Sequence, residues 1–168
     1  MKLENVSSPL AGPGRASRWA LIAGACAALV TIGRTAATYP NEFRAWTHVK
    51  SALITQTHPA AESEGGLHHI YANPKAVEGY RTGKFPEGSA IAYELLETNE
   101  KDGLISEGKR RRLDVMIRDS ARYQTTGGWG YQRFMGTNDT SLDDGSATQC
   151  HECHSRAREH GFVFSRIR

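Results

Sequence analysis

Cys150, Cys153 and His154 fall within five consecutive positions near the C-terminus, in the stretch "ATQCHECHSRAREHGFVFSRIR". The only other cysteine, Cys26, lies in an apolar N-terminal segment. A disulfide framework is therefore excluded, and the two C-terminal thiols must answer for each other. In an oxidising compartment a bare C-x-x-C closes into a disulfide unless another chemistry uses the sulfurs. Three uses compete. Two thiols three residues apart on a helical turn reach the two vinyl groups of a haem, with the adjacent histidine placed under the iron. Structural zinc would need four ligands, so the pair would have to recruit two of His151, His154 and His160, with no second cysteine pair to help. A redox dithiol of the thioredoxin kind opens a helix after a strand, whereas this pair closes a polar loop. The C-x-x-C-H arrangement for haem is the one whose every position is filled.

The N-terminal segment bears on the same choice. After Lys2, Arg15 and Arg18 comes "WALIAGACAALVTIG", uncharged from Trp19 to Gly33, followed by the small residues of "RTAAT". Its length lies between a secretory apolar core of about 7–15 residues and a membrane-crossing helix of about 20. Residues 1–37 are expected to be a signal peptide or an N-terminal membrane anchor, and residues 38–168 an exported domain, periplasmic or held facing the periplasm. Export favours haem, because c-type haem is attached outside the cytoplasm.

At 168 residues and a formal charge of +3 there is room for one compact domain. Lys/Arg and Asp/Glu are interspersed, which argues against nucleic-acid binding. The one basic run, "KRRR" at 109–112, reads as a solvated turn leading into a strand. "YPNEFRAWTHVKSALI" carries Phe43, Trp46, Val49 and Leu53 at helical spacing and is expected to open the domain as a helix. "LHHIYA" reads as a short strand with His68 and His69 on opposite faces, so one histidine approaches any pocket beneath it. "NPKAVEGYRTG" reads as a helix capped by Asn73 and ended near Gly83. "SAIAYELLE" and "RRLDVMIRD" alternate with period two about the turn signal "NEKDG". "GGWGYQRF" reads as a glycine-broken strand, "ATQCHECHSRAREH" as a short helix and "GFVFSRI" as a last strand. The expected class is α+β: an antiparallel sheet with a few helices to one side and the C-x-x-C-H helix at the C-terminus.

The order and spacing of "IYANPKAVEGYRTGKFPEGSAIAYELLE", "LDVMIRDSARYQTTGGWGYQRF", "CHECH" and "GFVFSRI" closely resemble the cytochrome P-460 family, which includes the cytochromes c′-beta. The resemblance runs from about Tyr39 to Arg168. It implies one covalently attached haem c, with Cys150 and Cys153 as thioether anchors and His154 as the proximal iron ligand. It also implies a five-coordinate iron and, commonly, a homodimer.

Departures from the family bear on the chemistry. Its hydroxylamine-oxidising members bond a lysine covalently to the haem, and that position matches Tyr93 here. A distal carboxylate of those enzymes, one strand further on, matches Asp114. Tyr93 is read as a core aromatic or a distal hydrogen-bond donor. Asp114 is read as a distal acid/base or as a carboxylate paired with Arg112 or Arg118. Three functions stay open: binding of nitric oxide or a similar small ligand, oxidation of hydroxylamine or nitric oxide, and plain electron transfer with a soluble or membrane redox partner.

Overall fold

The computed structural model describes residues 39–138, 140–141 and 145–167. The proposed signal or anchor segment at 1–37 lies outside the described residues. Five antiparallel strands form one sheet in the order β1-β2-β3-β4-β5: β1 Thr47–Ile54, β2 Gly66–Ala72, β3 Ala90–Lys101, β4 Leu104–Arg118 and β5 Trp129–Met135. Among the described residues three helices accompany it, α1 Ala61–Glu64, α2 Pro74–Thr82 and α3 Ser146–His154, the last continued by a 3-10 segment over Ser155–His160. The α+β class expected from the alternating patterns is the one observed.

Local chemistry explains most of these boundaries. The side chain of Asn73 accepts from the Ala76 amide at 2.9 Å, Pro74 occupies the first turn of α2, and Gly83 ends it in the left-handed region. Between β3 and β4 a two-residue turn places Asp102 at φ 52 and Gly103 at φ 80. Both central residues need positive φ in the hairpin turn whose twist matches the flanking strands, and Asp-Gly supplies them.

Three expectations are corrected. The opening segment is not a helix: only Phe43–Ala45 forms a 3-10 turn before β1 begins at Thr47. A bulge between His48 and Lys50 leaves Val49 out of register, so the spacing of Trp46, Val49 and Leu53 mimics a helix while the chain pairs with β2. The "KRRR" run is no turn but the middle of β4. Its Arg110 donates to the Gly136 carbonyl and the Tyr39 hydroxyl, both at 2.6 Å, which ties β4 to neighbouring loops. "GFVFSRI" forms no strand. It begins with Phe162 at φ 68 and continues as an unpaired tail.

The sheet is packed on both faces. One face carries Ala92, Leu113, Val115 and Phe134 with Phe43 laid over them. Glu94 lies on this face with no exposed side-chain surface, paired to Arg44 at 2.7 Å. The other carries Ala72, Ile91, Met116 and Tyr131, covered by Ala76 of α2, Trp129 and Val163 of the tail. Both alternating sets of β3 are consequently buried. α3 packs against β5 and not over the sheet centre, which leaves the second face open beside it.

The tail depends on a glycine. Gly127 has φ 66, and a Cβ built there would come within 2.3 Å of the Phe162 ring. Gly127→Ala combines a left-handed alanine with displacement of that ring. It is expected to cost roughly 1–3 kcal/mol, read as a lowered urea midpoint with an unchanged denaturant slope.

Candidate functional site

A cavity of about 510 Å³ lies between the second sheet face, α3 and the tail. This is within the roughly 300–1,000 Å³ of sites that enclose small-molecule ligands and cofactors. Strand register explains its wall. Directly paired residues of antiparallel strands share a face, so Ile70, Tyr93, Asp114 and Arg133 form one row across the sheet, and Ile91, Met116 and Tyr131 the next. All seven line the cavity.

From the opposite side α3 presents Cys150, Cys153 and His154, which also line it. Positions i, i+3 and i+4 fall on one helix face. Glu152, between them, is exposed. Both cysteines are free thiols, with burial holding the Cys150 thiol above its usual range.

His154 is held in a defined state. Its Nδ1 lies 2.7 Å from the Phe162 carbonyl, which can only accept, so Nδ1 carries the proton. Burial pushes the imidazole pKa below its ordinary 6.5 and favours the neutral ring. The lone pair therefore resides on Nε2, the coordinating nitrogen of a neutral imidazole whose other nitrogen is tied back. The rings of Tyr131 and Phe164 flank it, each at 5.2 Å between centroids. The tail that supplies the carbonyl is itself anchored: Trp129 Nε1 donates to the Gly161 carbonyl at 2.9 Å, and the Tyr80 and Ser165 hydroxyls are 2.6 Å apart.

The donor set suits covalent haem. Two thiols at helical i, i+3 spacing and one imidazole lone pair share a cavity whose facing wall is mostly apolar. The buried Tyr131 hydroxyl on that wall has no hydrogen-bond partner among the described residues. For the zinc alternative, no group of three His, Cys, Asp or Glu side chains among the described residues is arranged to hold a metal ion.

A polar corner faces the helix across the cavity. Arg133 grips Asp114 with two bonds, Nε to Oδ1 at 2.6 Å and a terminal nitrogen to Oδ2 at 2.9 Å. Arg112 Nε donates to Asp114 Oδ2 at 2.9 Å, while its terminal nitrogens reach the Ser63 carbonyl at 2.7 Å and Glu64 at 2.6 and 2.7 Å. Tyr93 completes the group by donating its hydroxyl to Glu64 Oε2 at 2.9 Å. Burial and the negative charge of Glu64 raise the phenol pKa well above its usual value, so Tyr93 stays protonated. The bond to Asp114 raises the pKa of Arg133 further still.

Each residue singled out in the sequence now has a place. Cys150, Cys153, His154, Tyr93 and Asp114 all border one cavity. Tyr93 is at the wall, but its hydroxyl is committed to Glu64. Asp114 pairs with Arg112 as anticipated, while Arg118 instead donates to the Gly127 carbonyl. Of the two strand histidines, His69 lies on the other face, bonded to Ser51 at 2.6 Å and Glu107 at 2.8 Å. His68 is on the cavity side of the sheet, its ring tilted 34° against Tyr93 at 5.0 Å between centroids, but is not part of the wall. Sequence reasoning missed Arg133, Glu64 and Tyr131. Arg133 was recoverable from hairpin register opposite Asp114, whereas Glu64 sits on a one-turn helix with no spacing signal.

The sequence model of the family described as Cytochrome P460 matches residues 40–165. A search of curated proteins returns no match.

His68 generates a pH prediction. Its Nδ1 is buried without a partner, and burial lowers its pKa from 6.5. Its neutral form therefore supports the fold above pH about 6.5, and that support is lost as pH falls toward the lower native value. The thermal midpoint should drop between pH 7 and 5 more steeply for the native chain than for His68→Phe, which keeps the ring contact with Tyr93 and cannot ionise.

Proposed function

Since the chain belongs to the cytochrome P460 family and is a haem c protein, we propose that its iron has His154 as sole protein ligand and binds small molecules such as nitric oxide or hydroxylamine. The observation that carries this reading is the His154 tautomer: its Nδ1 is spent on Phe162, its Nε2 keeps the lone pair, and among the described residues it is the one imidazole on the cavity wall. Cys150 and Cys153 are read as the thioether anchors. Haem c, when bound, supplies an iron with a coordination position left for a small ligand.

The protein's own part in turnover rests on the polar corner. Asp114 is the carboxylate nearest in register to the apolar row, and Arg112 and Arg133 hold both its oxygens in place. In this reading Asp114 accepts the proton of a bound N–H or O–H group, which supports oxidation of hydroxylamine or nitric oxide. Tyr93, standing where cross-linking relatives have lysine, is an aromatic wall fastened by Glu64, so the haem is anchored through its thioethers. The domain is taken to act in the periplasm, soluble or tethered, as a homodimer that passes electrons to a redox partner.

A second reading rests on Met116, a buried thioether on the cavity wall. Were its sulfur a second axial ligand, the protein would be a plain electron carrier.

The two readings part on one measurement. After expression with cytochrome c maturation, the mass should include one haem, and the reduced spectrum should be high-spin and shift on addition of nitric oxide. Sharp low-spin bands that revert to high-spin in Met116→Leu would support the electron carrier instead. If hydroxylamine reduces an acceptor, Asp114→Asn should slow that reaction by about 100-fold or more while haem content stays unchanged.

A further inference from the structure

A second depression adjoins the main cavity and shares Phe164 and Ser165 with it. Val49 and Lys50 of β1 and Arg166 of the tail complete most of its lining. Lys50 pairs in register with Ile70, so it projects from the same sheet face as the cavity wall and ends that row at the β1 edge. Neither Lys50 nor Arg166 forms an ion pair among the described residues. Arg166 lies 3.3 Å from a ring nitrogen of His160.

The haem's own asymmetry gives this depression a purpose. The two vinyl-bearing rings and the two propionate-bearing rings occupy opposite halves of the macrocycle. The thiols sit on α3, which packs on β5. From there the cavity wall runs over β4 and β3 to Ile70 of β2, three strand spacings or roughly 14 Å from β5, and a macrocycle tethered at α3 would have that span to fill. A haem whose carboxylate edge points away from α3 would bring that edge toward Ile70 and its register partner Lys50. Two carboxylates leaving an apolar cavity need compensating charge, since burying an unpaired carboxylate is costly.

We infer that Lys50 and Arg166 form the seat of the two haem propionates. The other cations on the cavity wall are already used. Arg112 has Nε and both terminal nitrogens bonded to Asp114, Ser63 and Glu64. Arg133 is held by Asp114 and stands on β5, at the thioether end. At the opposite end Lys50 and Arg166 form no ion pair among the described residues. Val49, bulged out of register, is what brings Lys50 onto the cavity face.

This inference rests on the haem reading above, and the test separates the two. Haem attachment is first verified by mass in the native chain; its absence there would end the haem reading and leave Lys50 and Arg166 without a role. With haem attached, Lys50→Gln/Arg166→Gln should lower the midpoint potential, because propionates stripped of their cations favour the ferric state. It should also shift the propionate bending bands in resonance Raman. Lys84→Gln/Lys101→Gln, which removes the same charge from exposed positions, should move neither. The single variants, each expected to give a partial shift, serve if the double variant loses its haem. A potential and propionate bands equal to those of the native protein overturn the assignment. So does loss of only the salt-dependent reduction by a donor, which would mark the pair as a docking patch for an acidic partner.

Discussion

The hydrogen bond from His154 Nδ1 to the Phe162 carbonyl determines which imidazole nitrogen faces the cavity, and the rest of the site is organised around keeping it. Phe162 reaches that position with a backbone φ of 68, a region that costs a non-glycine residue about 1–3 kcal/mol. The surrounding structure offsets this. Its ring lies over Gly127, where no side chain competes, and Trp129 holds the preceding Gly161 carbonyl. Had the tail paired as a sixth strand, that carbonyl would belong to a ladder and His154 would lose its partner. The tail stays unpaired because its residues serve the helix beside it.

The two sides of the cavity solve different problems. The α3 side requires exact placement of three groups, and a helix turn gives that without long-range help. The sheet side requires charges near an apolar pocket, which is stable only when they are mutually satisfied. Two arginines, two carboxylates and a phenol meet that condition, each carboxylate accepting at least two bonds. The neutral total keeps the corner from imposing a strong field on a ligand, while the individual groups stay in reach of one.

How much of this was legible depended on the range of the interactions. The helix Pro74–Thr82, the β3–β4 hairpin and the Cys150–Cys153–His154 face were readable, because each follows from residues within a few positions of one another. The errors were also local in appearance and long-range in cause. Trp46, Val49 and Leu53 mimic a helix only because β2 imposes a bulged register on them. Arg110, Arg111 and Arg112 look like a solvated run until their distant partners are known: the Tyr39 hydroxyl, the Gly65 carbonyl and Glu64. Glu64 could not be anticipated at all, since its role arises from Tyr93 and Arg112, which are 29 and 48 residues away.

That range dependence explains where this chain can diverge from its relatives without losing its haem. The attachment face is local and tolerates little change, whereas the opposing wall is assembled from four strands and can be altered one residue at a time. Tyr93 illustrates the point. A tyrosine at this position needs only a carboxylate to receive its hydroxyl, and Glu64 provides one from a short helix outside the sheet. The same carboxylate binds Arg112, which in turn steadies Asp114, so a single substitution on β3 is coupled through three charged groups along the cavity wall. The position of Asp114 at the cavity wall thus depends on Glu64, although only one of the two lies on the sheet.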